Sequence, residues 1–140
     1  MNCRALKSNL ASINDKTENE LALRIIKSTP YQGSRFVWFG LRHEASRSHK
    51  AQAPGDKRSE EYGEYFKIYL GYNVDGTPVS NFTYFGKDQP NGINLQKENC
   101  FLYHHEFEGN KKREWHDYNC ETQKAWSLCR KVASTIPYKK

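Results

Sequence analysis

No apolar run in the chain approaches the roughly 20 residues that a helical membrane span needs, so insertion into a bilayer through a helix is not expected. Charge of one sign is also lacking. The 22 Lys and Arg stand against 16 Asp and Glu, and the formal net charge is only +6. The basic residues are dispersed, and the densest clusters, "NKKRE" at 110–114 and "PYKK" inside the basic tail at 132–140, are short. They read as solvated loop and tail charge, which disfavours nucleic acid as a partner. There is no internal repeat, no Gly-rich phosphate loop, and no Ser/His/Asp or paired-carboxylate spacing that argues for catalysis. An enzyme is not expected. Nothing resembles a signal peptide, and Met1 is followed at once by structured-looking sequence, so the chain reads as a fragment of a longer product.

Large rings are abundant. Seven Phe, nine Tyr and three Trp within 140 residues supply enough surface for one core, at about 150–250 Å² per buried ring. Residues 1–140 are therefore expected to form a single soluble globular domain. The four cysteines are Cys3, Cys100, Cys120 and Cys129. An even number in a small aromatic-rich chain fits two disulfides and an oxidising, extracellular compartment, with three connectivities open. Asn81-Phe82-Thr83 is a glycosylation acceptor triplet and points the same way. A competing pattern is Cys100-x3-His104 with His116-x3-Cys120, four potential zinc ligands that would require reduced thiols.

Along the chain, Cys3, Leu6 and Leu10 lie at helical spacing and predict a short helix over 2–11. A second helix is predicted over 13–30, with Thr17 and Glu20 as a capping box, Leu21/Ile25 and Ala22/Ile26 stacked at i,i+4, and Pro30 as the stop. "RFVWFGL" at 35–41 reads as a buried strand. Residues 42–64 are polar, contain Pro54-Gly55 and predict a long surface loop. "YFKIYLGY" at 65–72 alternates Phe66, Ile68 and Leu70 against polar neighbours, as a half-buried strand does. "NVDGTP" is a turn, and 79–99 is loop-like. Strands follow in "CFLYHHEF" and "REWHD" around the turn "EGNK", and "AWSLCRK" supplies the last. Trp38 and Trp115 are assigned to the core. His104 and His105 read as strand residues facing opposite sides, with no role. Early helices and late short strands make this an α+β fold.

In order, these pieces resemble the C-type lectin-like domain. Cys3 followed by Leu10-Ala11-Ser12 resembles the end of that family's first helix, and Trp38-Phe39-Gly40-Leu41 its WIGL core strand. "DGTPVSNFTYFGKDQPN" resembles the long-loop stretch, with Phe85 where the family usually has Trp. Glu98-Asn99-Cys100 and Trp115-His116-Asp117 with Cys120 resemble its two downstream motifs. The likeness runs from Cys3 to about Lys131. It implies two helices, small antiparallel sheets and a long ligand loop, with disulfides Cys100–Cys120 and Cys3–Cys129. It also implies that the usual first strand is missing, which leaves one edge of the terminal sheet unpaired if nothing replaces it. With all four cysteines paired, none remains as a nucleophile.

The resemblance further implies a Ca²⁺-dependent carbohydrate site built from Gln89, Asn91, Glu98, His116 and Asp117, and glycans or glycoproteins as partners. Gln89-Pro90 is expected to be a cis peptide. Ca²⁺ takes six to eight oxygens, and the imidazole of His116 is a nitrogen donor that suits zinc or copper better. One weak or lost Ca²⁺ site is therefore expected, at or below the ~10⁻⁴–10⁻³ M range. An auxiliary Ca²⁺ site would need acids where Gly92 and Asn99 stand. Gln89-Pro90-Asn91 carries amides at both ends and matches neither the mannose-type nor the galactose-type pattern. The alternative is a Ca²⁺-independent module that binds a protein or other ligand through the long loop and residues 42–64.

Overall fold

A computed structural model describes residues 3, 8–28, 36–43, 54–90, 99–106 and 112–130. Their elements run β1 (Asn9–Leu10), α1 (Lys16–Ser28), β2 (Val37–His43), α2 (Glu60–Tyr69), β3 (Gly71–Asn73), β4 (Asn99–Tyr103), β5 (Trp115–Asn119), β6 (Trp126–Ser127) and β7 (Cys129–Arg130). The main sheet has the order β3-β2-β4-β5, antiparallel throughout, with β6 added parallel to the start of β2. β1 and β7 form a separate antiparallel pair. The α+β expectation holds, as do the two disulfides, Cys3–Cys129 and Cys100–Cys120. That pairing removes the zinc alternative, because Cys100 and Cys120 have no thiolate to offer.

The first predicted helix is not formed as drawn. Cys3 sits in a 3₁₀ turn whose carbonyl accepts from both the amide and the hydroxyl of Ser8. Leu10, placed on that helix by spacing, lies in β1 opposite Cys129. Among the described residues the terminal strand β7 pairs with β1 alone, which leaves its other edge without a strand. Residues 4–7 lie outside the described set.

α1 is where the pattern puts it, but its cap is earlier. The Asp15 carboxylate accepts from the amide of Glu18 at 2.7 Å, and the Glu18 carboxylate accepts from the amide of Asn14 at 2.9 Å. This reciprocal arrangement satisfies two donors that a helix start leaves orphaned. Thr17 and Glu20, the predicted box, lie within the helix. Ala22 and Ile26 are buried, whereas Leu21 and Ile25 remain largely exposed along a groove beside Leu128. Pro30 is outside the described residues.

The larger correction concerns 60–72. Residues 65–69 belong to α2, and only 71–73 are strand. Ser59 caps the helix by accepting from the amide of Tyr62, Glu60 and Glu61 occupy its first turn, and Lys67 its last. Tyr62, Tyr65, Phe66 and Tyr69 recur at i, i+3, i+4 and i+7, the helical period, and three of them are buried. The alternation of Phe66, Ile68 and Leu70 fits a strand only if this longer period is ignored, and Ile68 is in fact 58% exposed. The loop drawn over 42–64 accordingly gives up Arg42–His43 to β2 and Glu60–Glu64 to α2; residues 44–53 are outside the described set. The turn "EGNK" and the tail 132–140 lie largely or wholly outside it as well.

The core joins β2, α2, β4 and β5 through rings. Phe39, Phe66, Phe101, Tyr103 and Trp115 are each nearly inaccessible. Phe85 packs edge-on to Phe66 and Trp115, at centroid distances of 5.4 and 5.7 Å. Trp115 is core, as expected, and Trp38 is only half-buried. Gly40 lets β2 pass close beneath the N-terminal segment. Its amide donates to Ala11 O at 2.7 Å, and a Cβ there would stand 2.8 Å from Leu10 O, where no atom fits.

Two stability outcomes follow from these contacts. Asp15→Ala should cost about 1 kcal/mol and Thr17→Ala less than half of that, by urea denaturation; the reverse ranking would restore the later cap. Replacing Cys3 and Cys129 with Ser should cost about 4–5 kcal/mol, because that bridge spans 126 residues. Replacing Cys100 and Cys120, 20 residues apart, should cost nearer 3 kcal/mol. Equal losses from the two pairs would contradict the loop-length account.

Candidate ligand-binding site

The outer edge of β5 organises the region that follows the "DG" turn. β4 covers one edge of β5, from Asn99↔Asn119 to Tyr103↔Trp115. On the other edge, Trp115 donates to Tyr84 O at 2.8 Å and accepts from the Gly86 amide at 3.0 Å. The next outward amide is that of Asp117, two residues on. It is buried, so it needs an acceptor, and the Gln89 side-chain oxygen supplies one at 3.3 Å. Gln89 therefore completes a ladder that the backbone of 84–86 begins. Its peptide bond to Pro90 is cis, as expected. Lys57 Nζ donates to Pro90 O at 2.7 Å and ties this loop to the segment before α2. Nearby, Arg58 and the buried Glu114 form an ion pair at 2.7 Å.

Asp117 faces the core, on the same side of β5 as Trp115. Its carboxylate is only 1% exposed and lies 3.2 Å from Nε2 of His43, itself 5% exposed. A carboxylate can only accept, so the imidazole Nε2–H donates. The register between β2 and β4 shifts between Trp38 and Arg42, and His43 stands at the end of β2 beyond that shift. Burial, the Tyr65 phenol and the Asp117 carboxylate together push the Tyr62 hydroxyl up to about 12.

His116 points the other way and is half-buried. Its ring packs on that of His104 at 4.2 Å, and His104 contacts His105 at 4.5 Å. The two adjacent histidines lie past the end of β4 and pack together, rather than facing opposite sides of a strand. Gly86 makes room for the cluster, since a Cβ on it would lie 2.6 Å from His116 Nε2. Burial, then the neighbouring His104, lowers the His116 pKa from 6.5 to about 4, against an opposing pull from Asp117. Burial lowers His104 and His105 in the same direction.

Of the five predicted ligand residues, Gln89, His116 and Asp117 are brought to one stretch of β5, and Asn91 and Glu98 lie outside the described residues. The three that are described do not fit a Ca²⁺ ion. The Gln89 oxygen is on an amide, one Asp117 oxygen is on His43, and His116 offers nitrogen packed against another ring. Among the described residues no group of three or more His, Cys, Asp or Glu could hold a metal. Two participants escape sequence reasoning. His43 is hidden by the assignment of 42–64 to a loop, although strand β2 simply runs on through it. Lys57 falls in the same stretch and carries no signal. Asn81, the glycosylation candidate, is exposed, and its side-chain amide donates to Glu64 at 2.9 Å.

A family model described as "Lectin C-type domain" matches residues 1–131. Two solved structures are similar in fold. One, a SPL-1–GlcNAc complex, has a TM-score of 0.55 at 16% identity and covers 91% of this chain and 72% of its own. The other, the mouse scavenger receptor C-type lectin carbohydrate-recognition domain, has a TM-score of 0.57 at 19% identity and covers 96% and 78%. No curated protein matches the chain.

The histidine cluster gives a pH dependence with a definite sign. Between pH 6.5 and about 4 the unfolded chain takes up a proton at His116 that the folded chain refuses. Stability contributed by the neutral ring is whole above pH 6.5, falls as pH drops through that window, and levels off below it. His116→Asn should therefore make the fall in urea-measured stability between pH 6.5 and 4 shallower, though not flat, since His104 and His105 remain. An unchanged slope would show that His116 titrates normally.

Proposed function

Because the chain belongs to the C-type lectin domain family, we propose that it is a carbohydrate-recognition domain that binds glycans through the loop beginning at Gln89-Pro90-Asn91. Any contribution of Ca²⁺ to that binding would be weak or lost, because Gln89, His116 and Asp117 do not fit the ion. The observation that carries this reading is the Gln89–Asp117 contact: protein hydrogen bonds set the approach of the loop to β5 before any ion is considered. Sugar hydroxyls would meet the amide-rich stretch that follows Gln89, and the GlcNAc in the similar SPL-1 complex is consistent with a ligand of this class. An extracellular setting agrees with the two disulfides, and Asn81 would be its glycosylation site, making the product a glycoprotein.

A second reading, a metal-independent module for a protein ligand, draws support from the engagement of Asp117 by His43. One experiment separates the two. The disulfide-intact domain is displayed multivalently on a glycan array, in millimolar Ca²⁺ and in EDTA, because single lectin sites are weak. The expected outcome is one set of glycans in both buffers, with a modest loss of signal in EDTA. Complete loss in EDTA would overturn the weak-ion part. Absence of any glycan signal would overturn the sugar reading and favour a protein ligand. A dissociation constant near 10⁻³ M would raise the thermal midpoint by only about 1–2 °C in 1 mM Ca²⁺.

A further inference from the structure

At the start of the ligand loop stands a cation that is fixed in place without being neutralised. Lys57 Nζ donates to Pro90 O at 2.7 Å, and a carbonyl acceptor leaves the ammonium its charge and its remaining N–H donors. Lys16, Arg58, Lys67 and Arg130, by contrast, are each held by a carboxylate. We infer that Lys57 sets the specificity of the glycan site: it reads an acidic group, a carboxylate or a sulfate ester, on a sugar that meets the loop at Gln89-Pro90.

The carbonyl that holds the ammonium is itself well placed. Gln89 and Pro90 are buried, and the Gln89 side-chain oxygen accepts from the Asp117 amide at 3.3 Å. Lys57 is half-buried, so a charge that meets it there is screened less than one in open water. Ordering a lysine on binding is costly for its long side chain, and the Pro90 contact has already met part of that cost. Arg58, the next residue, cannot take the role, because its guanidinium is paired with the buried Glu114 at 2.7 Å. Lys87 is exposed in the same loop and adds charge of the same sign, as does the chain's formal net charge of +6. The acids close by in sequence, Asp56, Glu60, Glu61 and Asp88, are exposed, and among the described residues none pairs with Lys57. One oxygen of Asp56 is turned instead onto the Arg58 amide at 3.0 Å. A sugar hydroxyl would offer the ammonium no more than water does. A carboxylate or sulfate would form a charge-assisted hydrogen bond, about twice as strong as a neutral one.

This inference rests on the lectin reading for the site and adds the class of its ligand. The probe is one oligosaccharide in three forms, neutral, sialylated and sulfated, offered in EDTA to the multivalently displayed, disulfide-intact domain. At low salt an acidic form should be retained about five- to tenfold more than the neutral one, with the ratio falling toward one at about 0.5 M NaCl. Retention of the sialylated form alone identifies a carboxylate as the group read, and of the sulfated form alone a sulfate. Lys57→Met, which keeps an apolar stem and removes the ammonium, should bring the ratio close to one. Lys57→Arg, which keeps the charge and a donor for Pro90 O, should preserve most of it. A Lys57 that only braces the loop would weaken all three forms together in the Met variant and leave the ratio unchanged, which overturns the proposal. Equal binding of neutral and acidic forms by the wild type overturns it while the lectin reading stands, and no binding of any form overturns both. If the Met variant does not fold, the wild type decides, because an acidic preference that does not respond to salt is not made by a charge.

Discussion

A buried carboxylate constrains everything around it, because it must be met by donors at fixed places. Asp117 imposes that constraint here. Its side chain draws the end of β2 toward β5 through His43, and its amide draws the loop through Gln89. Phe101, between those strands, packs against the His43 ring and against Phe66 and Phe85. The polar contact is therefore enclosed by the same rings that make the core. Removing water strengthens the hydrogen bond and raises the cost of leaving it unmade. Core and ligand loop are in this sense one structure, and a change at either side of Asp117 is felt at the other.

The frame beneath the loop is held independently. Cys100–Cys120 joins the start of β4 to the residue after β5, and Cys3–Cys129 joins the two ends of the described chain beside the β1–β7 pair. Each bridge limits the unfolded ensemble rather than adding a contact in the folded one. A domain of this size with two such bridges does not need a metal to close its terminal sheet or to fix the β4–β5 ladder.

What could be read from the residues follows from how local the cause is. α1, β2, β4 and β5 have strong patterns of their own, and the turn at Asp75 is a two-residue signal whose carboxylate accepts from the amide and hydroxyl of Thr77 and from Ser12. The cysteine pairing and the Gln89-Pro90 geometry came through family resemblance and not through spacing. α2 escapes the local pattern because Tyr62 and Tyr65 fall in a polar stretch, and the apolar residues after them happen to alternate. Leu10 fits a helix by spacing because three residues at helical spacing cannot report that a strand from the other end of the chain will pair with them. At the site, Asp117 was legible as a position and not as an orientation. Its partner in the core, His43, is 74 residues away and enters through a register shift that no local pattern announces.

His116 and Asp117, neighbours in one motif, behave oppositely. Successive residues of a strand face opposite sides, so only one of the two can look into the core. Trp115 fixes the parity: its ring is core, and Asp117 must follow it inward while His116 turns outward onto His104. For Asp117 to serve an ion at the loop, either β5 must distort or the carboxylate must reach around its own backbone. A hard cation that prefers several unencumbered oxygens gains little from a donor placed in that way. The histidine at 116 then costs the site less than its chemistry implies, because the metal ligand set is already limited by the side of the strand on which Asp117 lies.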